Sequence, residues 1–123
     1  MNLSQRLKEL DALVDLEHAR ASERLQLDAL SYREVQRLPT INPTPVQGWQ
    51  TFPYSEAFYD PEKMLINELA GVYVGAHLKD DRTYTIRANY GIGGIASMFG
   101  CKTSLTMNNM PWCEPLAEEE LLK

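Results

Sequence analysis

Three side chains able to bind a small molecule stand close together at the end of a predicted strand. Arg87, Asn89 and Tyr90 belong to or follow the β-prone run Thr83–Asn89. Asparagine and tyrosine both donate and accept hydrogen bonds, and an arginine guanidinium binds a carboxylate or a phosphate. In parallel α/β folds, ligands bind where strands end. These residues are therefore candidates for a ligand site. The alternative, a surface arginine and a turn-forming asparagine, stays open.

A glycine pattern follows the same predicted strand. Gly91-x-Gly93-x-x-Ala96 fits the dinucleotide fingerprint, in which glycines let a pyrophosphate approach the backbone at a helix N-terminus. Glu114 lies at about the right distance in sequence for a ribose contact, but in a proline-flanked loop rather than at the end of a strand. Gly100 leaves room for a helix of barely two turns. The pattern therefore favours a flexible turn over a nucleotide site.

Metal ligation and nucleophilic catalysis have little support in the sequence. Cys101 and Cys113 do not form a C-x-x-C pair, and His18 and His77 lack the spacing of a helical zinc motif. Ser97 is not in a G-x-S-x-G elbow. We therefore predict structural roles for the cysteines and histidines, and no metal site.

Composition limits the class of protein further. The chain has 123 residues, with 12 Lys and Arg against 17 Asp and Glu, and a net charge of -5. This balance argues against nucleic acid as a partner, because phosphates need basic residues to neutralise them. No apolar run approaches the roughly 20 residues of a membrane helix, and the charged N-terminus does not resemble a secretory signal. The prediction is a cytoplasmic protein that binds neither membrane nor nucleic acid.

The elements that must position these residues begin with a helical region over 1–38. Apolar residues repeat on one helix face, and Glu17 then interrupts the pattern. This predicts one long helix with a shift of face, or two helices that meet near His18. Packing on the chain's own domain is the favoured role, and binding of a partner is the alternative. The apolar positions are Leu3, Leu7, Leu10 and Val14.

The segment from Leu38 to Asp60 contains four prolines, which exclude helix there and leave room for a short strand at Val46–Thr51. Its aromatic residues either cover the end of a core or line a pocket. A helix is predicted from Asp60 to about Leu78. The remaining predicted elements are a strand at Thr83–Asn89, a short helix at Ile95–Phe99, a strand at Cys101–Met107, and a charged tail, Glu118–Glu120, that starts a helix. This order is an α/β pattern.

Five runs of the sequence carry a resemblance to a known family: Leu38–Trp49, Tyr54–Leu65, Ile86–Gly93, Ser97–Gly100 and Asn109–Trp112. Together they resemble uroporphyrinogen decarboxylase-like proteins, a superfamily that includes the corrinoid-linked methyltransferases. The resemblance covers about residues 38 to 116. It implies the N-terminal part of a TIM (β/α)8 barrel, incomplete here, preceded by the helical segment.

This resemblance implies two domains, a helical segment over 1–38 and the first two β/α units over 39–123. The barrel strands would be Val46–Thr51 and Thr83–Asn89, with the helix from Asp60 between them. A complete barrel takes roughly 250 residues. We therefore expect the chain to be the front of a larger enzyme, inactive by itself and either oligomeric or poorly folded.

The resemblance also implies a site at the barrel mouth. Asn89 takes the catalytic position that is an Asp in the decarboxylases, and the stretch after the first strand lacks their substrate-binding arginines. A corrinoid-dependent methyltransferase is therefore favoured over a true decarboxylase, which is a lyase. The family implies zinc and a corrinoid, with ligands outside this chain, and a small-molecule substrate or a corrinoid protein as partner. The alternative is a non-catalytic assembly subunit that uses the N-terminal helix. The substrate-binding candidates are Trp49, Gln50, Tyr54, Arg87 and Tyr90.

Overall fold

Helices joined by long irregular segments make up the fold, in a computed structural model that describes residues 2–106 and 109–116. Within these ranges, no helix combines the length and apolar character needed to cross a membrane. The elements in chain order are α1 (Leu3–Leu13), α2 (Leu16–Leu30), α3 (Tyr54–Ala57), α4 (Pro61–Leu78), α5 (Gly94–Met98), β1 (Thr103–Ser104) and β2 (Trp112–Cys113).

The N-terminal region forms two helices rather than one. Asn2 caps α1 with its side chain, and the extended backbone at Val14 ends that helix. Asp15 then caps α2, because its Oδ1 accepts hydrogen bonds from the amides of Glu17 and His18, both at 3.1 Å. The two-helix alternative is confirmed, with the break at Val14 and Asp15 rather than near His18.

Helix α4 begins where the sequence predicts. The Oδ1 atom of Asp60 accepts hydrogen bonds from the amides of Glu62 at 3.0 Å and Lys63 at 3.2 Å. Pro61 occupies the first turn, where the missing N–H costs no intrahelical hydrogen bond. The predicted helix from Asp60 to about Leu78 is therefore confirmed.

The predicted N-terminal part of a TIM (β/α)8 barrel, and with it the α/β class, is wrong. Neither Val46–Thr51 nor Thr83–Asn89 forms a strand. The strands of the described residues, β1 and β2, make a short antiparallel ladder that pairs Thr103 with Cys113. Gly48 interrupts the first predicted barrel strand, because its φ of 107° lies outside the negative values that a regular strand needs.

The second predicted strand fails because its residues pack on a helix instead of on another strand. Tyr84 lies against α4 at Gly75, where an added Cβ would come within 2.6 Å of the Tyr84 ring and of Arg82. A β-prone sequence becomes a strand only when a neighbouring strand completes its hydrogen bonds. Within the described residues the sheet consists of β1 and β2 alone, and it does not include Thr83–Asn89.

Shorter elements gave mixed outcomes. The predicted short helix is confirmed as α5. Prolines were expected to exclude helix before Asp60, but α3 forms one turn there, since Pro53 precedes it and offers its carbonyl to the Glu56 amide at 3.0 Å. The Cys101–Met107 strand shrinks to β1, and its end at Met107 lies outside the described residues. The Glu118–Glu120 tail also lies outside them.

The chain divides into two units, each described by itself. Unit 1 comprises Met1–Thr51 and Ile66–Arg87, and unit 2 comprises Phe52–Leu65 and Ala88–Lys123. The domain boundary at residue 38 stays a prediction. Among the described residues only six apolar side chains are buried, whereas sixteen large ones are exposed. The apolar core is therefore small, and polar contacts contribute much of what holds the segments of the chain together. The buried apolar residues are Leu10, Ile66, Leu69 and Ala76 in unit 1, and Ala57 and Met64 in unit 2.

One buried carboxylate, Asp81, joins two separate segments of unit 1 just after α4. Asp81 is 2% exposed. Its carboxylate accepts hydrogen bonds from the Arg37 guanidinium at 2.5 and 2.6 Å and from the Thr40 amide at 2.9 Å. Its main-chain oxygen accepts a hydrogen bond from the Gln26 side chain. Asp81 therefore holds α2 and the Arg37–Thr40 segment at the end of α4.

The neighbouring carboxylate, Asp80, repeats this arrangement. Its side chain accepts hydrogen bonds from Arg82 Nη2 at 2.7 Å and from the Asn42 amide at 2.9 Å. Its main-chain oxygen lies 3.0 Å from His18 Nε2. These two adjacent buried acidic residues thus contact both α2 and the Arg37–Asn42 segment.

Because these two carboxylates are bonded in the folded state, we expect unit 1 to lose stability in acid. Bonding to Arg37 holds the pKa of Asp81 well below its usual range, and bonding to Arg82 lowers the pKa of Asp80. A carboxyl group whose pKa is lower in the folded than in the unfolded state stabilises the folded state at pH values above its unfolded-state pKa, about 3.9. That contribution is lost as the pH falls below this value. We expect the free energy of unfolding, measured in urea, to be flat from about pH 7 to pH 5 and to fall steeply below about pH 4. A flat profile down to about pH 2.5 would contradict this.

Candidate functional site

Two of the predicted site residues are in direct contact in unit 2. Asn89 is 7% exposed, and its Nδ2 donates a hydrogen bond to the Tyr54 hydroxyl oxygen at 2.6 Å. Tyr54 is half-buried and opens α3, while Asn89 lies in an irregular segment 35 residues further along the chain. The contact is therefore tertiary, and it fixes the position of the tyrosine hydroxyl.

The Tyr54 hydroxyl keeps one hydrogen-bond donor for a ligand. Its oxygen accepts from Asn89, and no described residue accepts its proton. Hydrogen bonds in a chain polarise one another, so a hydroxyl that already accepts one is a stronger donor through its own proton. The pair can thus donate to a carbonyl, carboxylate or ether oxygen of a small molecule.

Aromatic rings adjoin this pair in the sequence and contact one another. The rings of Phe58 and Tyr90 meet edge to face, with centroids 5.2 Å apart and an interplanar angle of 88°. Phe58 follows Tyr54 by one helical turn, and Tyr90 follows Asn89 directly. Tyr90 is 48% exposed. Unit 2 therefore brings together three predicted site residues, Tyr54, Asn89 and Tyr90, and adds Phe58, one of the aromatic residues expected either to cover a core or to line a pocket.

Trp49, another candidate, is part of a packed cluster in unit 1. Its Nε1 donates a hydrogen bond to the Ile66 carbonyl at 2.8 Å, and its ring centroid lies 5.1 Å from that of Tyr73. The guanidinium of Arg6, a residue 5% exposed, lies 4.7 Å from the centre of the indole and bonds the Gly48 carbonyl at 3.3 Å. Of the two roles open for this aromatic, the contacts favour packing over lining a pocket.

The remaining substrate-binding candidates, Gln50 and Arg87, have exposed side chains in unit 1. Neither side chain makes a hydrogen bond or ion pair with any residue that the structure describes. Both are accessible to a ligand, and both are described with unit 1 rather than with the Tyr54–Asn89 pair.

The glycine pattern, Gly91 to Ala96, packs against β2 at Gly93. Cys113 Sγ donates a hydrogen bond to the Gly93 carbonyl at 3.2 Å, and any Cβ at Gly93 would collide with that sulfur. Helix α5 has five residues, which is too short for the phosphate-binding helix of a dinucleotide fold. The packing of β2 therefore requires a glycine at position 93. This favours the interpretation of the glycine pattern as a turn over a nucleotide site.

The structure describes both histidines and both cysteines of the chain. His77 Nδ1 lies 3.1 Å from the Tyr73 carbonyl, and Cys101 and Cys113 are free thiols. Over residues 2–106 and 109–116, no three His, Cys, Asp or Glu side chains are grouped so as to hold a metal ion.

An open groove in unit 1 was missed by the sequence analysis. It lies between α1 and α4 and has a volume of about 480 Å³. The α1 side was visible as the apolar repeat, but the α4 wall depends on tertiary packing. We call it the α1–α4 groove. Its lining residues are Leu7, Lys8, Leu10, Asp11, Val14, Leu69 and Val72.

No protein-family model matches the chain, and neither does any curated protein or solved structure. The resemblance to uroporphyrinogen decarboxylase-like proteins therefore stays a hypothesis that rests on the sequence runs between residues 38 and 116. Function has to be argued from the geometry of the two units.

Proposed function

We propose that this chain is the N-terminal part of a uroporphyrinogen decarboxylase-like enzyme of the corrinoid-dependent methyltransferase type, working in the cytoplasm. The Tyr54 hydroxyl, positioned by Asn89, donates a hydrogen bond to an oxygen atom of a small-molecule substrate. The observation that carries the proposal is the 2.6 Å bond between these two side chains. It joins two of the family-like runs at one point of unit 2.

The chemistry of Asn89 supports methyl transfer over decarboxylation. Its amide is neutral and takes up no proton, so it does not replace the carboxylate that the decarboxylases carry there. Its Nδ2 is already used to bond Tyr54. Asn89 is therefore a positioning residue, and Tyr54 is the group that touches substrate. Tyr90, half exposed and packed on Phe58, supplies an aromatic surface beside them.

The metal and the corrinoid of the family enter the proposal only through the resemblance. Zinc in such an enzyme activates a thiol by lowering its pKa. The described residues hold no group suited to bind it, so we assign no step to zinc in this chain. Its ligands and the corrinoid partner belong, under this proposal, to the rest of the parent enzyme.

The proposal predicts that the chain binds an oxygen-bearing aromatic compound through Tyr54. We expect 2-methoxyphenol to bind the wild-type chain, in saturation-transfer NMR, because its oxygens accept from the hydroxyl. Tyr54→Phe removes that donor and should weaken binding about fivefold, the worth of one hydrogen bond. Asn89→Ala should weaken it by a similar factor, since it frees the hydroxyl to rotate.

Tyr59→Phe is the matched control, because Tyr59 is a 77% exposed tyrosine of the same unit. It should leave the affinity unchanged. Equal affinities of the Tyr54→Phe and Tyr59→Phe chains would overturn the role of Tyr54. Binding of uroporphyrin, but not of 2-methoxyphenol, would overturn the methyltransferase assignment in favour of the decarboxylase branch.

A second candidate function is a non-catalytic assembly subunit that uses the N-terminal helix. It is favoured by the exposed apolar side chains of the N-terminal helices, Leu7 of α1 and Leu16, Leu27 and Leu30 of α2. Apolar side chains that lie together in one exposed patch mark contacts with other chains. A chain that binds neither probe but associates with a partner through α1 would support this candidate.

A further inference from the structure

The α1–α4 groove in unit 1 has an apolar floor and one open side. Leu10 and Leu69 are buried at its base, whereas Leu7 is 43% exposed. Leu7, Leu10 and Val14 are spaced three and four residues apart, so they share one face of α1. Packing on α4 therefore covers only part of the apolar stripe that the sequence predicts, and the rest faces solvent.

Two opposite charges stand at the rim of this groove. Lys8 and Asp11 are three residues apart on α1, and both are exposed. Neither makes an ion pair or a side-chain hydrogen bond with the residues that the structure describes. The other charged residues of the helix, Arg6 and Glu9, pair with each other at 3.4 Å. The rim is thus neutral overall, with one free charge of each sign.

We propose that the α1–α4 groove binds α1 of a second copy of this chain, with the two helices antiparallel. A two-fold contact is self-complementary, because each residue meets its counterpart in both directions. An antiparallel pair centred between Glu9 and Leu10 sets Lys8 of each copy opposite Asp11 of the other. The half-exposed Leu7 of each copy then enters the apolar groove of its neighbour.

The charges favour a second copy over other occupants. A uniformly acidic partner would meet Asp11, and a uniformly basic partner would meet Lys8, whereas a second α1 pairs both. The helix is neutral, so the net charge of -5 on each chain acts from outside the contact. Eleven residues of helix span about 16 Å. A contact of that size is small, so we expect a weak, concentration-dependent dimer. The inference does not depend on ligand binding at Tyr54.

A charge-swap experiment tests the pairing. By analytical ultracentrifugation, we expect the wild-type chain to form dimers, and Lys8→Glu or Asp11→Lys alone to weaken them about tenfold, because each places like charges in two symmetric contacts. An equimolar mixture of the two variants should regain wild-type affinity as a heterodimer, since the introduced glutamate of one chain then faces the introduced lysine of the other. Raising the salt concentration should weaken the wild-type dimer.

The controls match the charge and the apolar character of each change. Arg20→Glu and Glu23→Lys make the same charge changes on the exposed face of α2, and should leave dimerisation unaltered. Leu7→Gln should weaken it, whereas Ile95→Gln, at an exposed apolar residue of unit 2, should not. A monomeric wild type, failure of the mixture to recover, or a larger effect of Ile95→Gln than of Leu7→Gln would each overturn the proposal.

Discussion

Replacing Asp81 by Asn should lower the free energy of unfolding of unit 1 by about 2 kcal/mol. The substitution keeps the shape of the side chain but turns an oxygen that accepts from Arg37 into an NH2 group. That leaves two donors facing each other where the structure has bonds of 2.5 and 2.6 Å. A hydrogen bond to a charged group is worth roughly 1.5–3 kcal/mol. The cost stays within that range because the Arg37 side chain is 58% exposed, so its charge is solvated by water after the bond is lost.

Urea unfolding followed by tryptophan fluorescence measures this effect. Trp49 lies in unit 1 and Trp112 in unit 2, so a Trp112→Phe background leaves a reporter for unit 1 alone. Asp28→Asn is the matched control, because Asp28 pairs with Arg33 at 3.0 Å at the surface. Its cost should stay below about 1 kcal/mol. Equal effects of the two substitutions would show that the buried carboxylate does not hold the segment.

Local rules were enough to predict where α4 begins. Asp60 followed by Pro61 defined the start of α4, because both the accepting side chain and the proline act within one turn. Asp15 is the same kind of signal, and the observed break lies slightly before the predicted one near His18. Such contacts lie within three residues of one another, so a single sequence contains the information that fixes them.

The strands could not be predicted in the same way, because a strand depends on a partner that can lie anywhere in the chain. Thr83–Asn89 has the alternation of a strand, yet Tyr84 packs against Gly75 of α4. Nothing in the local sequence around Asp80 and Asp81 indicates that they are buried. Their burial depends on Arg37, Thr40 and Asn42, which lie about forty residues earlier.

The candidate site shows the same limit. Residue chemistry alone singled out Asn89 and Tyr90 as able to bind a ligand, and the family resemblance added Tyr54. Their contact, 35 residues apart in sequence, was not predictable from spacing. Trp49 has the same aromatic character as Tyr54, but it is held by Tyr73 and Arg6 in unit 1. Residue type shows which side chains are able to bind a ligand. Tertiary contacts decide which of these side chains are already bonded to, or packed on, other residues.

Replacing Trp49 by Ala should destabilise unit 1 by about 3 kcal/mol, a value typical of a large aromatic side chain deleted from packed surroundings. The substitution removes the bond to the Ile66 carbonyl and the ring contact with Tyr73. It also uncovers Arg6, whose buried guanidinium then faces a cavity instead of an indole. Trp49→Phe keeps an aromatic ring over Arg6 and loses only the indole N–H, so it should cost about 1 kcal/mol.

Far-UV circular dichroism in urea follows this change without a tryptophan reporter, since α1, α2 and most of α4 lie in unit 1. Trp112→Ala is the control, because that ring is 65% exposed in unit 2, and its cost should stay below about 0.5 kcal/mol. If Trp49 serves packing rather than ligand binding, the free energy of unfolding should rise from Trp49→Ala to Trp49→Phe to wild type. A Trp49→Ala chain as stable as wild type would return Trp49 to the substrate-binding candidates, since a ring that is not needed for packing is available to a ligand.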